Sequence, residues 1–241
     1  MCFSAEMDLA AGLVITGIGV NTLRQVRTPD QVPLAMLPLV FGAHQLIETL
    51  VWWNLEGHVS DAVGDLAAWI YAAIALVVVP LLVPVAFLRA GTAPSPLVGR
   101  IFVGAGALAA LLGLHALGFG ELARRIDGHH ISYAPGDPYV VVTLSAYVIA
   151  TCAPSLVARS SALRWFGVGN LAVVATLVWL DQNAVISLWC VWAAFTSVLI
   201  NLHLRGGITA GDRPLPQLHP DHADQDQRTA QELDGRGELT E

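Results

Sequence analysis

The sequence predicts an all-α, polytopic membrane bundle of seven transmembrane helices. Three observations carry this. First, 55% of the 241 residues are hydrophobic and only 13% are charged, against roughly 25% charged in soluble domains; mean hydropathy is +0.60. Second, a bilayer core of about 30 Å needs roughly 20 apolar residues per helix. Seven stretches reach or approach that length: about 4–23, 33–55, 63–88, 97–120, 139–158, 165–180 and 184–204. Third, arginines alternate between connections. Arg24, Arg27, Arg89, Arg100, Arg159, Arg164 and Arg205 fall on one side, and only Arg124 and Arg125 on the other. Cytoplasmic loops collect basic residues. The N-terminus is therefore expected outside and the C-terminus in the cytoplasm of the cell that carries this protein in its plasma membrane.

Composition also excludes several chemistries. All twelve basic residues are arginine, so a retinal Schiff base, which needs a lysine amine, is ruled out. No other cofactor is indicated. Cys2, Cys152 and Cys190 are too few and too scattered for a disulfide framework or a zinc ribbon. A net charge of −7 gives no basic surface for nucleic acid. The expected partners are the lipid bilayer and a small-molecule or ion ligand; nothing in the sequence bears on oligomeric state.

The first span opens Phe3-Ser4-Ala5-Glu6-Met7-Asp8. It has no basic leader and no small-residue cleavage site, and reads as a retained helix. Ser4 suits an N-cap, and Glu6 and Asp8 suit the positive end of the helix dipole; the sharper reading places one of them in an outer vestibule.

The second span holds Phe41-Gly-Ala-His44-Gln45-Leu-Ile-Glu48-Thr-Leu-Val-Trp52-Trp53. Pro33 suits its first turn, and Pro38 falls one turn later. At about 100° per residue, Phe41, His44, Gln45, Glu48 and Trp52 share one arc of about 100°. A charged group at that depth costs about 2.5 kcal/mol or more, so it is retained for a reason. His44 and Glu48, four residues apart, can share a proton or bind one metal, or can form a buried hydrogen-bonded pair that fixes packing.

The third span carries an aromatic belt at Trp69-Ile-Tyr71 and two prolines, Pro80 and Pro84, whose freed carbonyls need other partners. The fourth, with six glycines from Gly99 to Gly120, is expected to be a tightly packed central helix; His115 lies in its outer third. The stretch from Glu121 to Pro138 reads as the longest loop, with the surface pairs Arg124-Arg125 and His129-His130. The fifth span carries Tyr147, Thr151 and Ser155 at four-residue spacing. The seventh carries a second stripe, Ser187, Cys190, Ala194, Ser197 and Asn201, within about 80°. Residues 1–205 thus form the transmembrane domain. Residues 206–241 form an acidic tail, poor in aromatics and expected to be disordered.

The fragments Thr49-Leu-Val-Trp52 and Thr176-Leu-Val-Trp179 are compatible with parallel three-plus-one-plus-three repeats. The opening Met1-Cys2-Phe3-Ser4-Ala5, the Gln45-x-x-Glu48-x-x-x-Trp52 stretch and the closing Trp189-Cys190-x-x-Ala-Ala-x-x-Ser197 with Leu202-His203 resemble an uncharacterised bacterial family of seven-helix membrane proteins. The resemblance covers residues 1–205, implies the same architecture in a bacterial inner membrane, and brings no activity with it.

Three functions compete. A sensor or small transporter would bind a ligand or ion between the second and seventh helices, using Glu48, Gln45, His44, Trp52, Tyr147, Ser197 and Asn201. An intramembrane metal-dependent hydrolase acting on lipid would use His44, Glu48 and His115 as ligands, with a metal-bound water as nucleophile. A structural or assembly protein would use both stripes only for packing. The first is the expected one.

Overall fold

The computed structural model describes residues 4–120, 122–127, 130–136, 138–180 and 184–206. Cys2 and the acidic tail lie outside them. Within the described residues eight α-helices run in chain order: α1 Ala5–Leu23, α2 Val32–Leu55, α3 Asp61–Ala73, α4 Val79–Arg89, α5 Pro96–Phe119, α6 Val140–Leu156, α7 Ser161–Leu180 and α8 Ala184–Gly206. A π-helical turn, Ile74–Val78, joins α3 to α4 into one rod, so the described residues form seven rods. Each matches one of the seven stretches read from hydropathy. Pro29–Leu55, Asp61–Arg89 and Pro96–Phe119 are long and apolar enough to cross a membrane; Val140–Leu156 is apolar but shorter.

The ends follow local chemistry. Ser4 occupies the N-cap of α1, though its hydroxyl does not cap the helix. Pro33 sits in the first turn of α2, where its missing N–H costs nothing. Ser95 caps α5 by accepting from the Val98 N–H at 3.3 Å. Helix α7 begins at Ser161, four residues before the apolar stretch read from hydropathy, with Ser161 and Arg164 in its first turn. The π turn precedes Pro80 and Pro84. Proline removes a ladder donor, and the Val79 N–H bonds back five residues to the Ile74 carbonyl.

Two expectations need correction. The stretch after α5 is not simply a loop: β1 Leu122–Asp127 and β2 His130–Pro135 pair antiparallel, with Arg124 opposite Tyr133 and Ile126 opposite Ile131. The fold is helical with one β-hairpin among the described residues. The central helix is α2, which touches α1, α3, α4 and α8. Helix α5 packs against the α3–α4 rod and against α6: Gly106 lies against the Pro80 carbonyl and Gly113 against the Leu76 backbone, while Gly104 and Gly118 face open space and Leu111 and Leu114 are exposed.

The closest helix pair is α1 with α2. Gly12 lies against Leu46, Gly42 against the Thr16 backbone and Gly19 against the Leu39 backbone, an antiparallel register set by small residues. Two apolar clusters fill the bundle. One gathers Ile15, Leu37, Phe41, Val79, Ala86 and Ala193. The other gathers Ala5, Val51, Trp52, Ala67, Ala68 and, from the hairpin, Ile131.

Candidate functional site

The α1–α2 register decides what meets at the hairpin end. Continued one turn beyond Gly12, it sets Asp8 beside the Glu48–Trp52 turn of α2. Glu48 is 0% exposed and Asp8 is 1% exposed, and each lies within electrostatic reach of the other. All four of their carboxylate oxygens are buried without a hydrogen-bond partner. The Trp52 indole N–H neighbours Asp8 and the Tyr71 hydroxyl neighbours Glu48, but neither reaches hydrogen-bond geometry with the acid. So many unsatisfied buried polar atoms in one place are unusual, since nearly all such groups are paired in folded proteins.

Aromatic rings wall this pair. His44 of α2 stacks on Tyr71 of α3 with centroids 3.9 Å apart, and Tyr71 stacks on Tyr133 of β2 at 4.7 Å. The His44 Nε2 and the Tyr133 hydroxyl are also buried without partners. Burial first, then the fields of Glu48 and Asp8, hold the Tyr133 hydroxyl well above its ordinary value, with Arg124 pulling the other way. Tyr133 therefore presents an O–H at neutral pH.

The hairpin is seated by its helix-facing side, which carries Arg124, Ile131 and Tyr133 in register. The Arg124 guanidinium donates to Asp65 Oδ1 at 2.6 Å and to Asn54 Oδ1 at 3.0 Å. Asn54 in turn donates to Asp61 Oδ1 at 3.2 Å and lies directly on Gly64, where any side chain would collide with it.

Raising the pH gives a direct check on this seating. The folded state holds the Tyr133 proton above its ordinary value, so the contribution is fully present below pH of about 10 and is lost as pH rises from there. Proteolysis within the hairpin should accelerate above that pH in the native protein and show a smaller acceleration in Tyr133→Phe. An identical alkaline response in both proteins would show that the seating does not depend on this hydroxyl.

The other sequence candidates are dispersed. Gln45 is buried and engaged beside the site, and its carbonyl accepts from Thr49 Oγ1 at 3.2 Å. Tyr147 packs with the Ile15–Phe41 cluster, away from the cluster that holds Trp52 and Tyr133. Helix α8 does lie against α1 and α2. However, Asn201 donates to Thr22 Oγ1 at 2.8 Å, near the opposite end of α1, and Ser197 returns its hydroxyl to the Ala193 carbonyl of its own helix. The side chains of Ser187 and Cys190, and those of His129 and His130, lie outside the described residues. His115 sits on the exposed face of α5 against Phe119 and Tyr139. Among the described residues no three His, Cys, Asp or Glu side chains come close enough to hold a metal ion.

Three contributors escaped the sequence reading: Asp8 as a buried partner, Tyr71 as the middle ring and Tyr133 as the cap. Asp8 had a readable signal, because it continues the Gly12, Thr16, Gly19 stripe at helical spacing. Tyr133 also had one, in the period-two alternation of Leu122-x-Arg124-x-Ile126, an Asp127-Gly128 turn signal and Ile131-x-Tyr133.

No curated protein and no solved structure matches the chain. A family model does: residues 1–213 match DUF6629, described as a family of unknown function, and the chain belongs to that family.

Proposed function

We propose that this is a seven-span membrane protein, with its N-terminus outside and its C-terminus in the cytoplasm, that binds a small cation or a proton at Asp8 and Glu48. It would act as a sensor or small transporter. The observation that carries the reading is the buried acid pair: four unpartnered carboxylate oxygens in an apolar helix bundle. Removing one ion from water costs several kcal/mol, and two like charges side by side cost more. Nor does Arg124 bond either acid; its guanidinium bonds Asp65 and Asn54. A positive charge that enters the site offsets part of that penalty.

In this reading the carboxylates supply charge, Tyr133 supplies a neutral oxygen, and Trp52 beside Asp8 and Tyr71 beside Glu48 border the acids. The seven rods, the three long apolar helices and the arginine asymmetry support the topology.

The test is thermal unfolding of the purified protein against sodium, potassium, calcium and pH. A bound ion stabilises by about 2.7 kcal/mol at a hundredfold excess over Kd, which is about 5–10 °C in a chain of this size. A melting temperature indifferent to every cation and to pH between 5 and 9 would sink the proposal.

A further inference from the structure

Among the described residues the hairpin β1–β2 packs on the helices through Leu122, touches α8, and makes three further contacts whose chemistry differs. Ile131 is an apolar plug, 1% exposed, set among Ala5, Val51, Trp52, Ala67 and Ala68. Tyr133 lies flat on Tyr71, and its unpartnered hydroxyl is within electrostatic reach of both carboxylates. Arg124 grips Asp65 and Asn54. That last contact is asymmetric: the Arg124 side chain is 15% exposed, while Asp65 is 69% exposed. A two-stranded hairpin has little stability of its own in water. Its order here therefore depends on the docking, and the half-wet ion pair is the contact most easily exchanged for water.

We propose that this hairpin is the gate of the acidic site, with Tyr133 as the residue that closes over the acid pair and the Arg124–Asp65–Asn54 contact as the latch. The inference rests on reading Asp8 and Glu48 as the ligand site and adds how that site is reached. In the closed state Tyr133 ends the ring column by stacking on Tyr71, with its hydroxyl within electrostatic reach of the carboxylates. Release of Arg124 frees the strand that pairs with Tyr133 residue for residue, so latch and cap move together. Gly64 belongs to the device as well, because its lack of a side chain lets Asn54 lie where Arg124 can reach it.

The experiment reads access to the carboxylates directly. The full-length protein in lipid nanodiscs is treated with a water-soluble carbodiimide and an amine nucleophile, and adducts at Glu48 and Asp8 are quantified by peptide mass spectrometry. The native protein should label slowly. Arg124→Ala should label about tenfold faster, the change expected when charge-assisted hydrogen bonds of this kind are lost. Exchanging the charges, Arg124→Asp with Asp65→Arg, should bring the rate back towards native, which a misfolded variant would not do. Equal labelling of the native and Arg124→Ala proteins, or no recovery in the exchanged pair, would overturn the gate. Protection of Glu48 by added sodium or calcium is scored separately; its absence would count against the cation reading and leave the access measurement intact.

Discussion

Glu48→Gln should abolish the cation- and pH-dependent rise in melting temperature while leaving a folded protein. The amide keeps the volume and polarity of the side chain but removes one of the two charges that need neutralising. What remains is a single buried carboxylate at Asp8, with the Trp52 N–H beside it. The variant should melt at or above the temperature of the cation-free native protein, because an unpaired buried charge is a liability whose removal is stabilising. Asp8→Asn should behave alike. Two sites acting as one unit are non-additive, so the double variant should show no further loss of response. If Glu48→Gln retained the full native shift, the acid pair would not be the binding site, whatever the protein's other responses.

Gly42→Val should be among the most damaging single changes in the helix bundle, costing about 3 kcal/mol or more through overpacking. A Cβ at Gly42 would stand 2.6 Å from the Thr16 backbone nitrogen, and one at Gly19 would stand 2.6 Å from that of Leu39. Backbone cannot rotate out of the way, so α1 must separate from α2. Separation also draws Asp8 away from Glu48, so any residual folded protein should have lost its cation response. Gly17→Ala is the companion measurement. Gly17 meets nothing within 4 Å, and alanine there should be neutral or stabilising by up to about 1 kcal/mol through helix propensity. Comparable damage from both substitutions, measured by thermal unfolding, would show that helix contact is not what Gly42 provides.

The helices were legible because each is a long apolar run, and runs of that length are a strong helix signal. Their identity survived even where an end did not, as at Ser161. The hairpin was illegible to that same logic. Arg124, Arg125 and Asp127 read as a solvated loop, and the alternation that makes them strands spans only a few residues on each side of the turn. Glu48 and Trp52 were readable as one stripe from helical spacing. Their neighbours were not, because a stripe says which face is polar and not which helix it meets. The small-polar stripe of α8 was a reasonable partner by composition, yet Asn201 finds Thr22, four helical turns along α1 from Asp8. Asp8 looked sufficiently explained by a helix dipole. Only the glycine register of α1 against α2 shows how deeply it is buried.

The π turn at Ile74–Val78 gives the third rod two phases. One residue beyond the α-helical count rotates everything after it by about 100° relative to everything before. Before the turn, Tyr71 presents its ring to His44 of α2. After it, the Pro80 carbonyl lies against Gly106 of α5. An unbroken α-helix could not serve both neighbours with the same residues. The inserted residue works as a gear change, and a helical wheel drawn straight through the rod would assign one of its two faces to the wrong side.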